Sequence, residues 1–254
     1  MNKNICVVLQ YDGSRYNGWQ KQGNTEETIQ GKLEAMLSKL FQQEIEVQGS
    51  GRTDAGVHAI GQTASFHVNT PYGPGKILEL MNQYLPKDIV CVDARLVDAR
   101  FHARLNAKRK TYEYRIGTGA LRPVFGRQFI WYHPEQFDID AMRRAAAYCI
   151  GEHDFTSFCG NRHMKKSCVR TISSIEITEV TEKVGGAEFP EVRIRVTGNG
   201  FLQNMVRILT GTLMEIGEGH RSPESMKDIL LAKDRETAGF LAPAHGLTLI
   251  GVEY

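Results

Sequence analysis

Between Gly49 and Ala59 the chain reads Gly-Ser-Gly-Arg-Thr-Asp-Ala-Gly-Val-His-Ala, which sets one arginine, one aspartate and one histidine (Arg52, Asp54, His58) among three glycines. Glycines at this density permit backbone conformations that a β-carbon forbids, and they let another molecule approach the main chain closely. Asp54 stands two residues from Arg52. A carboxylate held beside a guanidinium stays ionised and keeps a defined orientation. Such a group can serve as an anionic nucleophile.

Competing chemistries fit these residues less well. A Walker phosphate loop requires lysine after its last glycine, and Val57 follows Gly56. A dinucleotide fingerprint requires glycine at the position occupied by Asp54, whose charge repels a pyrophosphate. Asp54 and His58 as metal ligands need further carboxylates or histidines, and the stretch from Gly49 to Ala64 supplies none. Elsewhere only Cys159, His163 and Cys168, with His153 nearby, suggest a metal, and their spacing matches no standard zinc pattern. No metal is expected. The plainest alternative is a tight loop closed by an Asp54–Arg52 ion pair.

The elements that must hold this loop follow from periodicity. Strands are expected at Ile5–Tyr11, Glu44–Gln48, Thr63–Val68 and Ile89–Leu96. A helix through Ile29, Leu33, Met36, Leu37 and Leu40 is capped by Thr28, and a second through Ile77, Met81 and Leu85 stops before Pro86. The order is β-α-β-β-α-β, a ferredoxin-like unit. The order recurs after Val97. Lys110–Ile116 alternates, with Tyr112, Tyr114 and Ile116 on one face, and a helix covers about Asp140–Cys149. Strands at Ile172–Thr178 and Val192–Thr197 flank Gly185-Gly186. A long helix then runs from Phe201 through Leu213, a shorter one follows Ser222-Pro223, and a last strand spans Leu247–Val252. The expected fold is α/β of the α+β type: two ferredoxin-like halves, residues 1–103 and 104–254, forming a mainly antiparallel sheet around a central cleft.

Composition sets the class. Of 254 residues 41% are hydrophobic and 24% charged, ordinary proportions for a globular protein. No apolar run reaches the roughly 18 residues of a membrane span, and the first residues are strand-like rather than a leader, so no membrane partner and a cytoplasmic location are expected. Five cysteines without a C-x-x-C pair argue for reduced thiols. Net charge is only +2, yet cations cluster. Arg100, Arg104, Lys108, Arg109, Lys110 and Arg115 form one group, and Arg162, His163, Lys165, Lys166 and Arg170 another. Nearby aromatics (Phe101, Tyr112, Tyr114; Phe155, Phe158) turn these from solvated faces toward phosphate recognition. In the loop 12–23, Arg15, Tyr16 and Trp19 suit either base stacking or internal packing.

Gly51-Arg-Thr-Asp-Ala-Gly-Val-His-Ala59 resembles the active-site motif of the tRNA pseudouridine synthase A family. Further segments match in order: Tyr11-Asp-Gly13, Gly18-Trp-Gln20, Thr28-Ile-Gln-Gly31, Arg100-Phe-His-Ala-Arg104, Lys110-Thr-Tyr-Glu-Tyr114 and Gly151-Glu-His-Asp-Phe155. Gly198-Asn-Gly-Phe-Leu202, Asn204-Met-Val-Arg207 and Ala242-Pro-Ala-His-Gly-Leu247 complete a resemblance that covers almost the whole chain. It implies isomerisation of uridine to pseudouridine at positions 38, 39 and 40 in the anticodon stem-loop of tRNA, by a homodimer, with no cofactor. By resemblance Asp54 is the catalytic carboxylate, Arg207 pairs with it, and Arg52 helps displace the target base. Tyr112 stacks on the flipped uracil and assists proton transfer from C5, and Leu247 packs against the base. His58 belongs to the motif without an assigned role. Cys159–Lys166 matches no family role. The rival from another class is a catalytically silent RNA-binding or tRNA chaperone protein of the same fold.

Overall fold

The computed structural model describes residues 2–161 and 166–254, so Arg162, His163 and Lys165 of the second basic cluster lie outside the described residues. The chain groups into two units, Met1–Lys108 with Leu249–Tyr254, and Arg109–Thr248. The last residues therefore return to the first unit.

In the first unit, β1 (Asn2–Tyr11), α1 (Ile29–Phe41), β2 (Gln48–Gly49), β3 (His58–Asn69), α2 (Pro74–Tyr84) and β4 (Ile89–Val97) follow the expected order. β1 runs antiparallel between β4 and β3. The other edge of β3 takes β2 at Ala64–Ser65 and the C-terminal strand β10 (Leu247–Glu253), whose Ile250 lies against Gly61. Thr28 caps α1 as its type predicts, its side chain accepting from Gly31 N–H at 3.1 Å. Ile29, Leu33 and Leu37 of that helix and Ile77 and Met81 of α2 are buried with Ile5, Leu9 and Phe66 of the sheet. One expectation fails. The strand predicted over Glu44–Gln48 shrinks to two residues, because Ile45 N–H donates to Ser38 Oγ (3.0 Å) and Val47 N–H to Glu34 Oε1 (3.1 Å). Side chains of α1 thus take the donors that a sheet ladder needs.

The second unit contains β5 (Arg109–Gly117), β6 (Trp131–Tyr132), α3 (Ile139–Ala147), β7 (Gly151–Asp154), β8 (Val169–Val184), β9 (Ala187–Gly198), α4 (Met205–Gly217) and α5 (Ser225–Ala232). Its sheet order is β5-β9-β8-β7, antiparallel, with β6 parallel to β5. Tyr112, Tyr114 and Ile116 all turn to the buried face, as the alternation requires. β8 and β9 are joined by Gly185-Gly186 with φ of 58° and 82°, the left-handed pair that a two-residue hairpin turn demands. β6 and β7 go beyond the strands expected from sequence; they are two and four residues long, too short to carry a period. The helix expected from Phe201 begins only at Met205, because Asn204 sits at φ 60°, outside helical space. Eleven of the 13 residues of α4 are buried, so this helix is enclosed rather than one-sided.

Candidate active site

Asp54 occupies a turn whose every flank is tied down. Val57 N–H donates to Asp54 O at 3.1 Å, closing the turn, and Gly56 adopts φ 77° within it. On the N-terminal side, the buried Gln62 amide donates to Gly51 O (2.9 Å) and accepts from Ser50 Oγ (2.6 Å). Thr53 Oγ1 shares a 2.8 Å hydrogen bond with Tyr11 Oη, and Thr53 O accepts from Trp19 N–H at 3.0 Å. On the C-terminal side Gly56 N–H donates to Tyr16 O at 3.3 Å. The half-buried Asp54 therefore emerges from a preorganised frame, and Arg52 is exposed on the same loop.

His58 now has a role. Its ring is 1% exposed, and Nδ1 accepts from Gly13 N–H at 3.0 Å. Nδ1 also lies 3.2 Å from Asp12 Oδ1, which accepts from Ser14 N–H (2.9 Å) and Oγ–H (2.6 Å). His58 is a positioning residue that clamps the 12–15 turn against the Asp54 loop. Trp19 and Tyr16, 2% and 4% exposed, pack internally.

That clamp has an acid-sensitive foot. Tyr16 Oη–H donates to Asp88 Oδ1 (2.7 Å), and Arg15 donates to Oδ2 through Nη2 (2.5 Å) and Nε (3.0 Å). Burial alone raises the Asp88 carboxyl, but the hydrogen bonds from Tyr16 and Arg15 outweigh it and hold it below the usual carboxylate range. Arg15 is largely exposed, so its ion pair is screened and the part-buried Tyr16 bond counts for more. A depressed carboxyl contributes stability that is whole above its unfolded value, about pH 4, and is lost as pH falls through the folded one. Asp88→Asn is expected to cost about 1–2 kcal/mol at pH 7. It should also flatten the decline in urea stability between pH 5 and pH 3; an unchanged decline would remove Asp88 from this account.

In the second unit Tyr112 is 6% exposed, with the Phe201 ring edge-on at 5.2 Å. Arg207, in the first turn of α4, donates through Nε to Ala242 O (2.7 Å) and through Nη1 to Asn204 Oδ1 (3.2 Å). Ala242 N–H returns a bond to Arg207 O at 3.3 Å. Tyr114 Oη–H donates to Pro243 O at 2.7 Å, and a β-carbon on Gly246 would fall 2.6 Å from the Tyr114 ring. Burial raises the Tyr114 hydroxyl well above its usual range, a rise the Arg207 charge only partly offsets. Arg207 and Tyr114 thus fix the segment that ends in Leu247, itself 4% exposed. The five expected site residues divide between the units: Arg52 and Asp54 in the first, Tyr112, Arg207 and Leu247 in the second.

The basic groups also separate. Arg100, Arg104 and Lys108 are exposed on a segment pinned to the first unit. Asn4 Nδ2 donates to Asp98 O and Phe101 O (both 2.8 Å), and Tyr254 Oη–H donates to Ala103 O (2.8 Å). Arg115, by contrast, is taken up by Glu191 (2.7 Å) and Glu182 (3.3 Å), so that member of the cluster is an ion-pair partner. Four of the five free cysteines are buried; burial pushes the Cys91 and Cys149 thiols up to about 12, leaving them unreactive. No helix among the described residues is long and apolar enough to cross a membrane.

A family model described as tRNA pseudouridine synthase matches residues 7–106 and 145–254, taking in Asp54, Arg207 and Leu247. The α+β fold and these matches define the class: an isomerase acting on tRNA, which makes pseudouridine. The chain is 45% identical over 251 residues to tRNA pseudouridine synthase A of Bacillus sp. (strain KSM-64), covering 99% of each. It is 43% identical over 252 residues to the protein of that name from Brevibacillus brevis, covering 99% of this chain and 100% of the relative. It is 42% identical over 252 residues to tRNA pseudouridine synthase A 1 of Clostridium tetani, with the same coverage. The chain belongs to the tRNA pseudouridine synthase A family.

Proposed function

We propose that the protein converts uridine to pseudouridine at positions 38, 39 and 40 of the tRNA anticodon stem-loop, with Asp54 as the catalytic carboxylate. The observation that carries this reading is the frame around Asp54: a single carboxylate held on both sides by backbone and side-chain hydrogen bonds, in a chain of this family. The uracil leaves the ribose through N1, turns, and rejoins through C5; the C5 proton is lost and N1 takes one up, so the product is an isomer of the substrate. Asp54 acts at the ribose–uracil unit as that bond breaks. Arg207 pairs with Asp54, and Arg52 helps displace the target base from the stack. Tyr112 stacks on the extruded uracil and assists removal of the C5 proton, while Leu247 packs against the base. The reaction draws on no outside group. As the resemblance implies, the protein works as a homodimer, and reduced cysteines fit a cytoplasmic location.

Unstacking a uridine costs a few kcal/mol, which contacts to phosphate must offset. The exposed Arg100, Arg104 and Lys108 are the cations to supply them. The affinity for tRNA is expected to fall with salt at a log–log slope steeper than about −3. A flat salt response would sink this part of the reading. The decisive experiment incubates purified protein with unmodified tRNA transcripts and maps pseudouridine base by base. Product at 38–40 supports the proposal, product elsewhere revises the positions, and tight binding without product favours the silent RNA-binding rival.

A further inference from the structure

The second unit holds a hollow of about 270 Å³ lined by Arg122, Pro123, Arg127, Ile130, Trp131, Tyr132 and His245. We propose that this hollow is a binding subsite for one nucleotide of the RNA substrate other than the reacting uridine, with its base against Trp131 and Tyr132 and its phosphate on Arg122 and Arg127. The inference rests on the reading of the protein as a tRNA-modifying enzyme.

The chemistry of the lining points to that ligand. Among the described residues two guanidinium groups and no carboxylate line the hollow, a balance that selects an anion. Both arginines are exposed, and the planar guanidinium matches phosphate oxygens in pairs. Trp131 and Tyr132 are half-buried, leaving ring surface for a flat apolar ligand, and stacking on such rings tolerates any base. Burial lowers the pKa of His245, so its imidazole is neutral at pH 7 and offers one donor and one acceptor to a base edge. Arg115, on the neighbouring strand, is by contrast already paired with glutamates.

The rings are also held ready. β6 is fixed by parallel pairing of Trp131 with Ile116 and Tyr132 with Gly117. Trp131 is braced edge-on by Tyr114 at 6.4 Å and Phe240 at 5.9 Å, and Tyr132 Oη–H donates to Ala120 O at 3.2 Å. A β-carbon on Gly117 would come within 3.3 Å of Ile130, one of the lining residues. Ile116 lies four residues beyond Tyr112 on the same face of β5, about 13 Å at strand rise. That is a span of a few nucleotides from a base stacked on Tyr112. His245 precedes Leu247 by two residues on the segment that Arg207 and Tyr114 fix. Arg122, Arg127, Trp131 and Tyr132 fall between the two stretches matched by the family model, so the subsite stands outside the shared motif set.

The test uses the full chain and an unmodified tRNA transcript. The paired variant Arg122→Ala/Arg127→Ala removes two exposed side chains, and its unfolding midpoint checks that the fold is kept. Its tRNA affinity is expected to drop at least about tenfold and its log–log salt slope to shrink by about one, for the one phosphate that the two arginines no longer neutralise. A second readout needs no activity: a short single-stranded oligoribonucleotide should quench tryptophan fluorescence in the parent and much less in Trp131→Phe. An unchanged salt slope in the paired variant, or equal quenching in Trp131→Phe, overturns the subsite. A shift in oligomeric state of the paired variant without loss of tRNA affinity also overturns it, by giving the hollow to a second copy of the chain. Failure of the parent to form pseudouridine while the quenching and slope behave as stated removes the catalytic reading and leaves the subsite standing.

Discussion

Asp54→Ala is expected to lower single-turnover pseudouridine formation by at least about 10⁴-fold, the scale on which enzymes lose activity when their central nucleophilic group is removed. The fold should survive the change. The turn is held by Val57 N–H on Asp54 O, by Trp19 N–H on Thr53 O, and by Gln62 on Gly51 O, none of which uses the Asp54 carboxylate. The variant should therefore unfold within about 1 kcal/mol of the parent and still bind tRNA. Asp54→Asn sharpens the test, since it keeps the shape and hydrogen-bonding reach while removing the charge. If Asp54→Asn or Asp54→Ala turns over at a rate close to that of the parent, the carboxylate is not the catalytic group.

A second large effect is expected from Gly18→Ala, a change that adds one methyl group at a residue outside the Gly51–Ala59 stretch. Gly18 adopts φ +88°, and a β-carbon there would lie 2.6 Å from Thr53 O and 3.1 Å from the Asp54 carbonyl carbon. The left-handed backbone costs an L-residue about 1–2 kcal/mol and overpacking about 1–3 kcal/mol, so a total of about 2–5 kcal/mol is expected. The clash is against backbone, so relief must come by moving Thr53 and Asp54. A displacement of about 1 Å at a reacting group costs about 100-fold in rate. Gly23→Ala is the control, because nothing lies within 4 Å of its added methyl. Loss of stability without loss of rate in Gly18→Ala would show that the Asp54 loop moves independently of Gly18.

The parts of this protein that sequence made legible are those governed by a single local rule. Thr28 caps α1, Tyr112, Tyr114 and Ile116 alternate into the core, and the order of the longer helices and strands follows periodicity. What stayed hidden depended on partners distant along the chain. Glu44–Val47 has the composition of a strand, but its donors go to Ser38 and Glu34. Arg115 sits among cations in sequence, and two glutamates neutralise it in space. The motif around Asp54 was visible, and Tyr11 and Trp19 stood in matching segments, but nothing in the sequence tied them, Gln62 or Asp88 to the Asp54 loop. Gly13 and Gly18 were a further hint, since glycines on either side of Tyr16 mark places where the main chain must come close to something.

The return of Leu249–Tyr254 to the first unit orders events during synthesis. A ribosome delivers residues 109–248 before the strand that completes the edge of β3, so the unit bearing Asp54 waits for its last ladder while the second unit already has all its own segments. Until then β3 beyond β2 presents unpaired backbone groups, the kind of edge that recruits foreign strands. Tyr254, hydrogen-bonded to Ala103 O and with its ring tilted against that of Phe101 at 5.0 Å, then closes over the basic segment. Nascent chains stalled short of these residues are thus a species that gains from a chaperone.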